Sequence, residues 1–444
     1  MTEDQYKKLC EACDHILLAA DSTIERVAIQ WLHVIREHPA LLVNYQDLFV
    51  HKGRLNLFLN KCLHDLRNWA VRGRALFRSL YLSRKSWSEW QDFPQNADVI
   101  FVSHLLNASQ VGESADFYFG DLPKELAQQG YSVVIALIDH SKCSSASLTK
   151  CWESDDVYHV ILPNALDISQ EVYLGQQLKK ESKKLGEQAE NEADDFLQRA
   201  MKRASKEALS SGSLSALRIG MQVGGLAAKL NPAAIVVTHE GHAWERLVFS
   251  FTRSKISELT CIGYHHAALF RLQHAIRRNL AREYNPDVIL TAGMLGKIQL
   301  ENSPSLNETS ISLLGSNRIF KRIEFNSESL ITSVIAERSV KTACLVLPEG
   351  IVSECHLLFD FSLECAKARP DIQFIWRLHP LVTFKSLIAQ NSKLGNLPSN
   401  ILLSKGAFND DVVQSRWALY RGTTAIIATI MAGVRPIYLQ LPDE

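Results

Sequence analysis

The sequence predicts the α/β class, with two tandem parallel-sheet domains that follow an N-terminal helical region. The first residues carry apolar side chains at three- and four-residue spacing, whereas short Val- and Ile-rich runs alternate with helical segments after Pro94. A second alternating series starts near Lys341. Strands that alternate with helices form parallel sheets with crossover helices. We therefore expect a helical cap over residues 1–92, a first α/β domain over 93–325 and a second over 326–444.

The composition is that of a globular chain with no net charge. The 444 residues include 48 Lys and Arg, 48 Asp and Glu, and 46% hydrophobic residues, which excludes a wholly disordered chain and a uniformly basic nucleic-acid binder. No apolar run approaches the roughly 18 residues of a membrane span. The first residues lack the basic-then-apolar order of a signal peptide. The nine cysteines, an odd number, indicate reduced thiols. We expect a cytoplasmic protein with no nucleic-acid partner.

The N-terminal region is expected to be helical to about residue 88, in one run that His38-Pro39 ends and a second through Leu55 and Ala70. Residues 67–87, the basic aromatic stretch, hold six basic residues and no acidic ones, with aromatic residues between them. This pattern suits an anionic membrane surface, and so predicts peripheral binding at the inner face of the membrane. The alternative is a helix that packs its aromatic side chains on the first α/β domain.

Apolar runs and helical spacing place the remaining elements. In the first α/β domain the expected strands are 99–103, 132–138, 157–162, 234–238, 260–264, 287–291 and 311–314. The expected helices there are 117–129, a long charged region over 169–229, one from about Trp244, and 269–283. In the second domain the expected strands are 342–347, 373–378, 401–403, 418–420 and 435–439, with helices at 354–368 and 424–432.

Ligands of open parallel sheets bind outside the carboxyl ends of the strands, so polar residues at those positions are candidate site residues. Arg377 and His379 stand two apart at one strand end and therefore share a face. A cation and an imidazole suit a phosphate or diphosphate, and Pro380 would stop the strand and fix the histidine. The alternative is a surface histidine at a strand end.

Two more strand ends of the second domain predict phosphate contacts. The run Arg421-Gly422-Thr423-Thr424 precedes an apolar helix, so it offers hydroxyls and free backbone N–H groups to an anion. The threonines are alternatively caps of that helix. Glu349-Gly350 follows the first strand of the domain. This glycine turn suits a nucleotide phosphate and Glu349 suits a ribose or the role of base, unless the turn is an ordinary one.

In the first domain, His239-Glu240-Gly241-His242 lies between a strand and a helix. A carboxylate at such a turn can serve as general base for a sugar hydroxyl, and glycine permits close approach of a ligand. Helix capping by Glu240 and Glu245 is the alternative. The two histidines lack helical i,i+4 spacing and a third ligand, so we expect no metal.

Other strand ends of the first domain add candidate acceptor contacts. Ser103 and His104 follow its first strand, and His265 follows a later one. Together with Gly241 and His242 they would face one cleft, although a lone histidine is alternatively a structural residue.

Several catalytic motifs do not occur in the sequence. There is no Asp-x-Asp metal signature, dinucleotide-binding glycine loop, P-loop or nucleophile elbow. Nicotinamide chemistry, ATP hydrolysis through a Walker loop and α/β-hydrolase chemistry are therefore disfavoured.

The order of these motifs resembles GT-B glycosyltransferases, which have two Rossmann-like domains. It is similar in particular to bacterial sialyltransferases and capsule-type Kdo transferases, which use CMP-activated acidic sugars. That group has an acidic–acidic–Gly motif that carries the base, and a His-Pro motif and a Ser/Thr pair that bind the CMP phosphate. Glu240-Gly241, His379-Pro380 and Thr423-Thr424 match these motifs, with His239 at the first acidic position. The His-Glu-Gly-x-x-Trp-Glu stretch from His239 to Glu245 also resembles surface-carbohydrate biosynthesis proteins of bacteria.

The resemblance, at motif level over roughly residues 97–442, implies a metal-independent glycosyltransferase without a cofactor. It would move a sialic acid-like nonulosonate or Kdo from a CMP donor to a bacterial surface glycan or glycolipid. Glu240, with His239, would be catalytic, and His379, Thr423 and Thr424 would bind the donor phosphate. The alternatives are a UDP-sugar or CDP-glycerol donor, a sugar-nucleotide epimerase, and a non-catalytic scaffold of the same fold.

Overall fold

The computed structural model describes residues 1–49, 94–106, 110–111, 115–141, 157–316, 342–379 and 382–441, with 70, 73 and 77 as isolated positions. The chain divides into two units, Met1–Arg318 and Ile319–Glu444. Both expected domain boundaries, most of the basic aromatic stretch and Pro380 lie outside the described residues, so those predictions stay open. Among the described helices, none has the length and apolar content needed to cross a bilayer.

The first unit is built on a sheet of seven parallel strands in the described residues. The strands are β1 Val99–Leu105, β2 Val133–Asp139, β3 Val157–Leu162, β4 Ala234–Thr238, β5 Thr260–His265, β6 Val288–Thr291 and β7 Ser310–Leu313. Their order is β3-β2-β1-β4-β5-β6-β7. This order extends the Rossmann arrangement, which confirms the predicted class and the predicted closing strand.

The central strands of this sheet are buried on both faces, because their successive side chains enter different cores. In β1, Ile100 and Val102 join one apolar cluster, and Phe101 and Leu105 join another. Strands covered on both faces read as continuous apolar runs rather than alternating ones. The strands were predicted from these continuous apolar runs.

The helices of the first unit include three where the sequence predicted one long region. They are α1 Glu3–Leu17, α2 Ile24–Val27, α3 Pro39–Leu42, α4 Leu122–Gln128, α5 Ile168–Glu190, α6 Asp195–Ala208, α7 Ser211–Leu230, α8 Ala243–Arg253 and α9 Met294–Glu301. The side chains of Asp167, Asp194 and Ser210 accept backbone N–H groups at the starts of α5, α6 and α7. Each cap begins a new helix and so divides the region.

The predicted helix over 269–283 is wrong. That segment holds only two short 3-10 turns, Ala275–Arg277 and Arg282–Tyr284. The buried guanidinium of Arg246 donates to the carbonyl oxygens of Ala275 and Arg278, at 2.8 and 2.9 Å. These hydrogen bonds tie the segment to Arg246 of α8, and beyond the two short turns it remains a loop.

The N-terminal segment packs on the same core as the first sheet and reaches the loop after β5. The single helical run expected before His38-Pro39 is interrupted, since Thr23 caps a new helix by accepting the N–H of Arg26. Arg26 is buried and pairs with the buried Glu181 of α5 at 2.6 Å. The hydroxyl of Tyr6 donates to the carbonyl of Leu272 at 2.8 Å. The segment therefore helps to shape the carboxyl edge of the sheet.

The second unit has five parallel strands in its described part. They are β8 Ala343–Leu347, β9 Gln373–Trp376, β10 Ile401–Leu403, β11 Trp417–Tyr420 and β12 Arg435–Tyr438, in the order β10-β9-β8-β11-β12. The helices are α10 Val352–Ala368, α11 Phe384–Gln390, α12 Phe408–Gln414 and α13 Ala425–Met431. This is again a Rossmann-like order, so the predicted tandem of two α/β units is confirmed. Helices α11 and α12 were not predicted.

Candidate functional site

The turn between β4 and α8 is organised around the carboxylate of Glu245. It accepts the backbone N–H groups of Glu240, Gly241 and His242 at 2.9, 2.7 and 2.8 Å. Burial opposes ionisation of Glu245, but the neighbouring histidines His239 and His242 hold its pKa below the usual value. Glu245 is therefore the residue that caps this turn. The carboxylate of Glu240 is not used as a cap and remains a candidate general base.

Gly241 gives this turn its shape. Its φ angle is 89°, and a Cβ there would lie 2.4 Å from the carbonyl carbon of Ala275. Only glycine adopts this conformation readily and leaves room for that backbone. Gly241 is buried, so its role is to bring the turn and the loop after β5 together rather than to contact an acceptor.

Glu240 forms an ion pair with His242, and its side chain is 14% exposed. Its Oε2 lies 3.5 Å from Nε2 of His242, and its Oε1 lies 4.0 Å from Nη1 of Arg36. Burial raises the pKa of Glu240, but His242 and Arg36 outweigh it and hold the pKa well below the usual value. The carboxylate is therefore ionised at neutral pH. Arg36 comes from the N-terminal segment and was not among the candidates predicted from the sequence.

Further aromatic and imidazole groups line the same edge of the sheet. Nδ1 of His104 lies 3.0 Å from Nε2 of His140, which follows β2. Burial, reinforced by His140, lowers the pKa of His104 to about 3, so His104 is neutral at pH 7. The Trp244 ring meets the His104 ring edge-on at 5.2 Å. His242 and His104 thus stand where the sequence predicted, with His140 and Trp244 as additional neighbours.

Three predicted site residues are structural instead. His239 has no exposed surface, and a Cβ at Gly263 would lie 2.9 Å from its ring. Ser103 is equally buried and donates its hydroxyl to Asp116 at 2.9 Å. His265 is 1% exposed, with Nδ1 at 3.1 Å from the carbonyl oxygen of His239. A catalytic role for His239 and acceptor contacts by Ser103 and His265 are therefore corrected, because no ligand can reach these side chains.

The Glu240–His242 pair predicts a pH-dependent contribution to stability. The pKa of Glu240 is lowered from 4.5, so its contribution is present above about pH 4.5 and is lost as the pH falls. The partner Glu240 raises the pKa of His242 above 6.5 despite burial, so its contribution is present below that value and is lost as the pH rises. The pair should therefore stabilise the fold most between these two values.

Replacing His242 by Asn should lower the melting temperature most in that window. The expected loss is about 0.5 kcal/mol, because His242 is 41% exposed and partly exposed ion pairs contribute little. Thermal unfolding of both proteins at about pH 5.5 and about pH 9 measures the difference. A difference that does not shrink at the higher pH would contradict the ion pair.

In the second unit, the carboxyl edge gathers residues from three strand ends. A Cβ at Gly350 would lie 2.7 Å from Nδ1 of His379, so the imidazole rests on that glycine. A Cβ at Gly422 would lie 1.7 Å from Oε1 of Glu349, so the carboxylate rests on the glycine that follows β11. Burial lowers the pKa of His379, opposed by the charge of Glu349. The predicted Glu349, Gly350, His379 and Gly422 are thus brought together.

The two predicted arginines of this edge are bound to carboxylates. Nη1 of Arg377 donates to Asp411 at 2.6 Å and to the carbonyl of Gly406 at 3.1 Å. Arg421 is buried, and its Nε donates to Glu354 at 2.8 Å. These pairs neutralise both guanidinium groups within the unit. A direct phosphate contact by Arg421 is therefore corrected, and Arg377, which remains 27% exposed, would first have to leave Asp411.

The threonine pair stands at the start of α13. Thr424 is exposed, and its side chain makes no capping hydrogen bond. The hydroxyl of Thr423 accepts the N–H of Ala425 at 3.3 Å. Because α13 has only seven residues, hydroxyls and loop N–H groups, rather than a long helix dipole, are what this turn offers an anion. Within the described residues, no group of three His, Cys, Asp or Glu could hold a metal ion.

Comparisons with known proteins give distant structural similarity. No protein-family model and no curated protein matches the sequence. The kitacinnamycin glycotransferase structure is 11% identical, covering 79% of this chain and 82% of that one, with a TM-score of 0.44. An Anabaena protein solved with UDP and glucose is 11% identical, covering 77% and 80%, with a TM-score of 0.42. UDP-GlcNAc 2-epimerase from Methanocaldococcus jannaschii is 10% identical, covering 77% and 83%, with a TM-score of 0.40. At these values the similarity carries no argument about reaction or ligand.

Proposed function

We propose that the protein is a glycosyltransferase that uses a nucleotide-activated sugar, with a CMP-linked acidic sugar as donor and a surface glycan or glycolipid as acceptor. The observation that carries the proposal is the meeting of His379, Gly350, Gly422 and the threonine pair at one edge of the second sheet. In open parallel sheets this edge is the place where nucleotides bind. The motif resemblance in the sequence supplies the CMP donor and the class of sugar.

The donor phosphate would lie against His379 and the turn that contains Thr423 and Thr424. Hydroxyls and N–H groups of this turn donate to the phosphate oxygens, and Gly350 and Gly422 make room for the side chains of His379 and Glu349. The carboxylate of Glu349, beside Gly422, can accept hydrogen bonds from the hydroxyl groups of a ribose. Both arginines already have carboxylate partners, so we assign stabilisation of the developing phosphate charge to an N–H of the His379 imidazole and to the hydroxyls of the threonine pair.

The acceptor would lie against the first unit, where Glu240 acts as general base. As the acceptor hydroxyl attacks the anomeric carbon, Glu240 takes its proton and the new C–O bond forms. The bond between the anomeric carbon and the phosphate oxygen breaks, and CMP leaves with the electron pair. Ionisation of Glu240 at neutral pH makes the carboxylate ready to accept that proton.

Thermal unfolding with CMP, UDP, CDP and GDP tests the donor, because a ligand that binds only the folded protein raises its stability. We expect CMP to give the largest rise in melting temperature. A rise in melting temperature with UDP alone or CDP alone would contradict a CMP donor and indicate a UDP-sugar or CDP-glycerol donor. No rise with any nucleotide would overturn the transferase proposal and favour a non-catalytic scaffold.

Replacing His379 by Ala should weaken CMP binding about 10- to 100-fold, since a hydrogen bond to a charged group contributes about 1.5–3 kcal/mol. Isothermal titration calorimetry measures the change. The matched control is Lys367→Ala, which removes an exposed cation at the far end of α10. Equal CMP affinity in His379→Ala and Lys367→Ala would contradict a contact between His379 and the CMP phosphate.

A further inference from the structure

The first unit contains a cavity that the candidate site does not account for. Its volume is about 780 Å³, within the range of small-molecule sites. One wall comes from the N-terminal segment, through Gln30 and Asn44, and the opposite wall from the first turns of α7, through Ser211 and Ser215. The two walls meet at Gly212, where a Cβ would lie 2.5 Å from Oε1 of Gln30.

The floor of the cavity connects it to the Glu240–His242 pair. His242, His104 and Trp244 all line it. His242 lies 3.5 Å from Oε2 of Glu240, so a hydroxyl group held in the cavity stands next to the pair that would accept its proton. The cavity therefore reaches the direct partner of the proposed general base within the first unit.

The charges of the cavity wall are already paired. Arg218 bonds Glu171 through two nitrogens, at 2.6 and 3.0 Å, and Arg203 pairs with Glu207 at 2.7 Å. Asp139 accepts the N–H and hydroxyl of Ser141 at 2.8 and 2.7 Å. The imidazole of His242, which also lines the cavity, is paired with Glu240. Among the described lining residues, both arginines and this histidine therefore already have carboxylate partners, so they offer no surplus positive charge to a phosphate or a sugar carboxylate.

The wall also carries amide, hydroxyl, imidazole and indole groups, from Gln30, Asn44, Asn164, Ser211, Ser215, His104, His140, His242, Trp31 and Trp244. Amides donate and accept hydrogen bonds, as sugar hydroxyls do, and aromatic rings pack against the apolar faces of sugars. This lining fits an uncharged polyhydroxyl ligand.

We propose that the cavity binds an uncharged sugar residue of the acceptor, and that Gln30 and Asn44 of the N-terminal segment determine which sugar is accepted. The inference rests on the proposed transferase function and adds to it the substrate class of the acceptor. It assigns the N-terminal segment a role in specificity as well as in packing.

Saturation-transfer NMR with simple glycosides tests this assignment. The neutral probes are the methyl β-glycosides of glucose, galactose and N-acetylglucosamine, and the anionic probes are methyl β-glucuronide and glucose 6-phosphate. We expect at least one neutral glycoside to bind and both anionic probes to bind at least tenfold more weakly. Absence of binding by every neutral probe, or tighter binding of an anionic one, would overturn the proposal.

Two changes to the cavity sharpen the test. Ser215→Trp, which fills it, should abolish glycoside binding, whereas Ser257→Trp at an exposed position should not. The double variant Gln30→Ala and Asn44→Ala should weaken glycoside binding at least fivefold. Both side chains are exposed, so this variant should fold and remains informative even if Ser215→Trp does not fold. Unchanged binding in a folded Ser215→Trp protein or in the double variant would contradict the assignment.

Failure of this proposal can be told apart from failure of the transferase function. Glycoside binding should persist in His379→Ala, since His379 belongs to the second unit and this change does not touch the cavity. A protein that binds nucleotides but no neutral glycoside would lose only the cavity assignment. A protein that binds a neutral glycoside but no nucleotide would keep the sugar site and lose the transferase proposal.

Discussion

Replacing Glu240 by Gln is expected to reduce turnover about 100- to 10,000-fold, the range that a positioned general base contributes. Glutamine has nearly the size of glutamate but cannot accept the proton of the acceptor hydroxyl. The carboxylate is ionised at neutral pH, held so by His242 and Arg36, and the substitution removes that charge. CMP release from the donor, measured with the neutral glycosides as acceptors, gives the rate.

Donor binding should survive this change, because Glu240 belongs to the first unit and the proposed phosphate residues belong to the second. The CMP-induced rise in melting temperature should therefore be unchanged. The control is Glu258→Gln, at an exposed residue in the connection between α8 and β5, which should leave turnover unaffected. Turnover within tenfold of wild type in Glu240→Gln would rule out Glu240 as the base.

Replacing Gly241 by Ala is expected to destabilise the first unit by about 3 kcal/mol. Its φ angle of 89° is costly for any residue with a Cβ, by about 1–3 kcal/mol. The added carbon would also lie 2.4 Å from backbone of Ala275, and such overpacking costs about 1–3 kcal/mol. Because the colliding atoms are backbone, the loop after β5 would have to move.

The melting temperature should fall by up to about 6 °C, since 1 kcal/mol corresponds to about 2–4 °C for a domain of 150–250 residues and to less for the larger first unit, Met1–Arg318. Gly225→Ala is the matched control. Gly225 lies on the exposed side of α7, with nothing within 4 Å of its Cβ position, so alanine should stabilise the helix by up to about 1 kcal/mol. Equal effects of the two substitutions would contradict the described geometry of the turn.

Much of the fold was predictable because the strands are buried on both faces. The strands β3, β4 and β10 begin and end where the apolar runs predicted. Short helices such as α9, α11 and α12, with seven or eight residues, have too few turns to show a clear period. The loop after β5 looked helical because its shape depends on Arg246, a residue of another element.

The site was predictable to the extent that it lies at strand ends. Glu240, His242 and His379 follow strands, and this position alone made them candidates. Burial decides which of these candidates a ligand can reach, and sequence spacing does not reveal burial. His239 stands at the predicted strand end, but its side chain is fully buried. Partners supplied from distant segments were invisible for the same reason: Arg36 beside Glu240 and Asp411 beside Arg377 come from elements far along the chain.

A crystal structure of the protein with CMP tests the central claim most directly. The account predicts the CMP phosphate at the carboxyl edge of the second sheet, with oxygens within about 3 Å of a ring nitrogen of His379 and of the hydroxyls of Thr423 or Thr424. The glycine turn at Gly350 should lie beside the nucleotide. A phosphate bound away from His379, or no CMP at millimolar concentrations, would contradict the account.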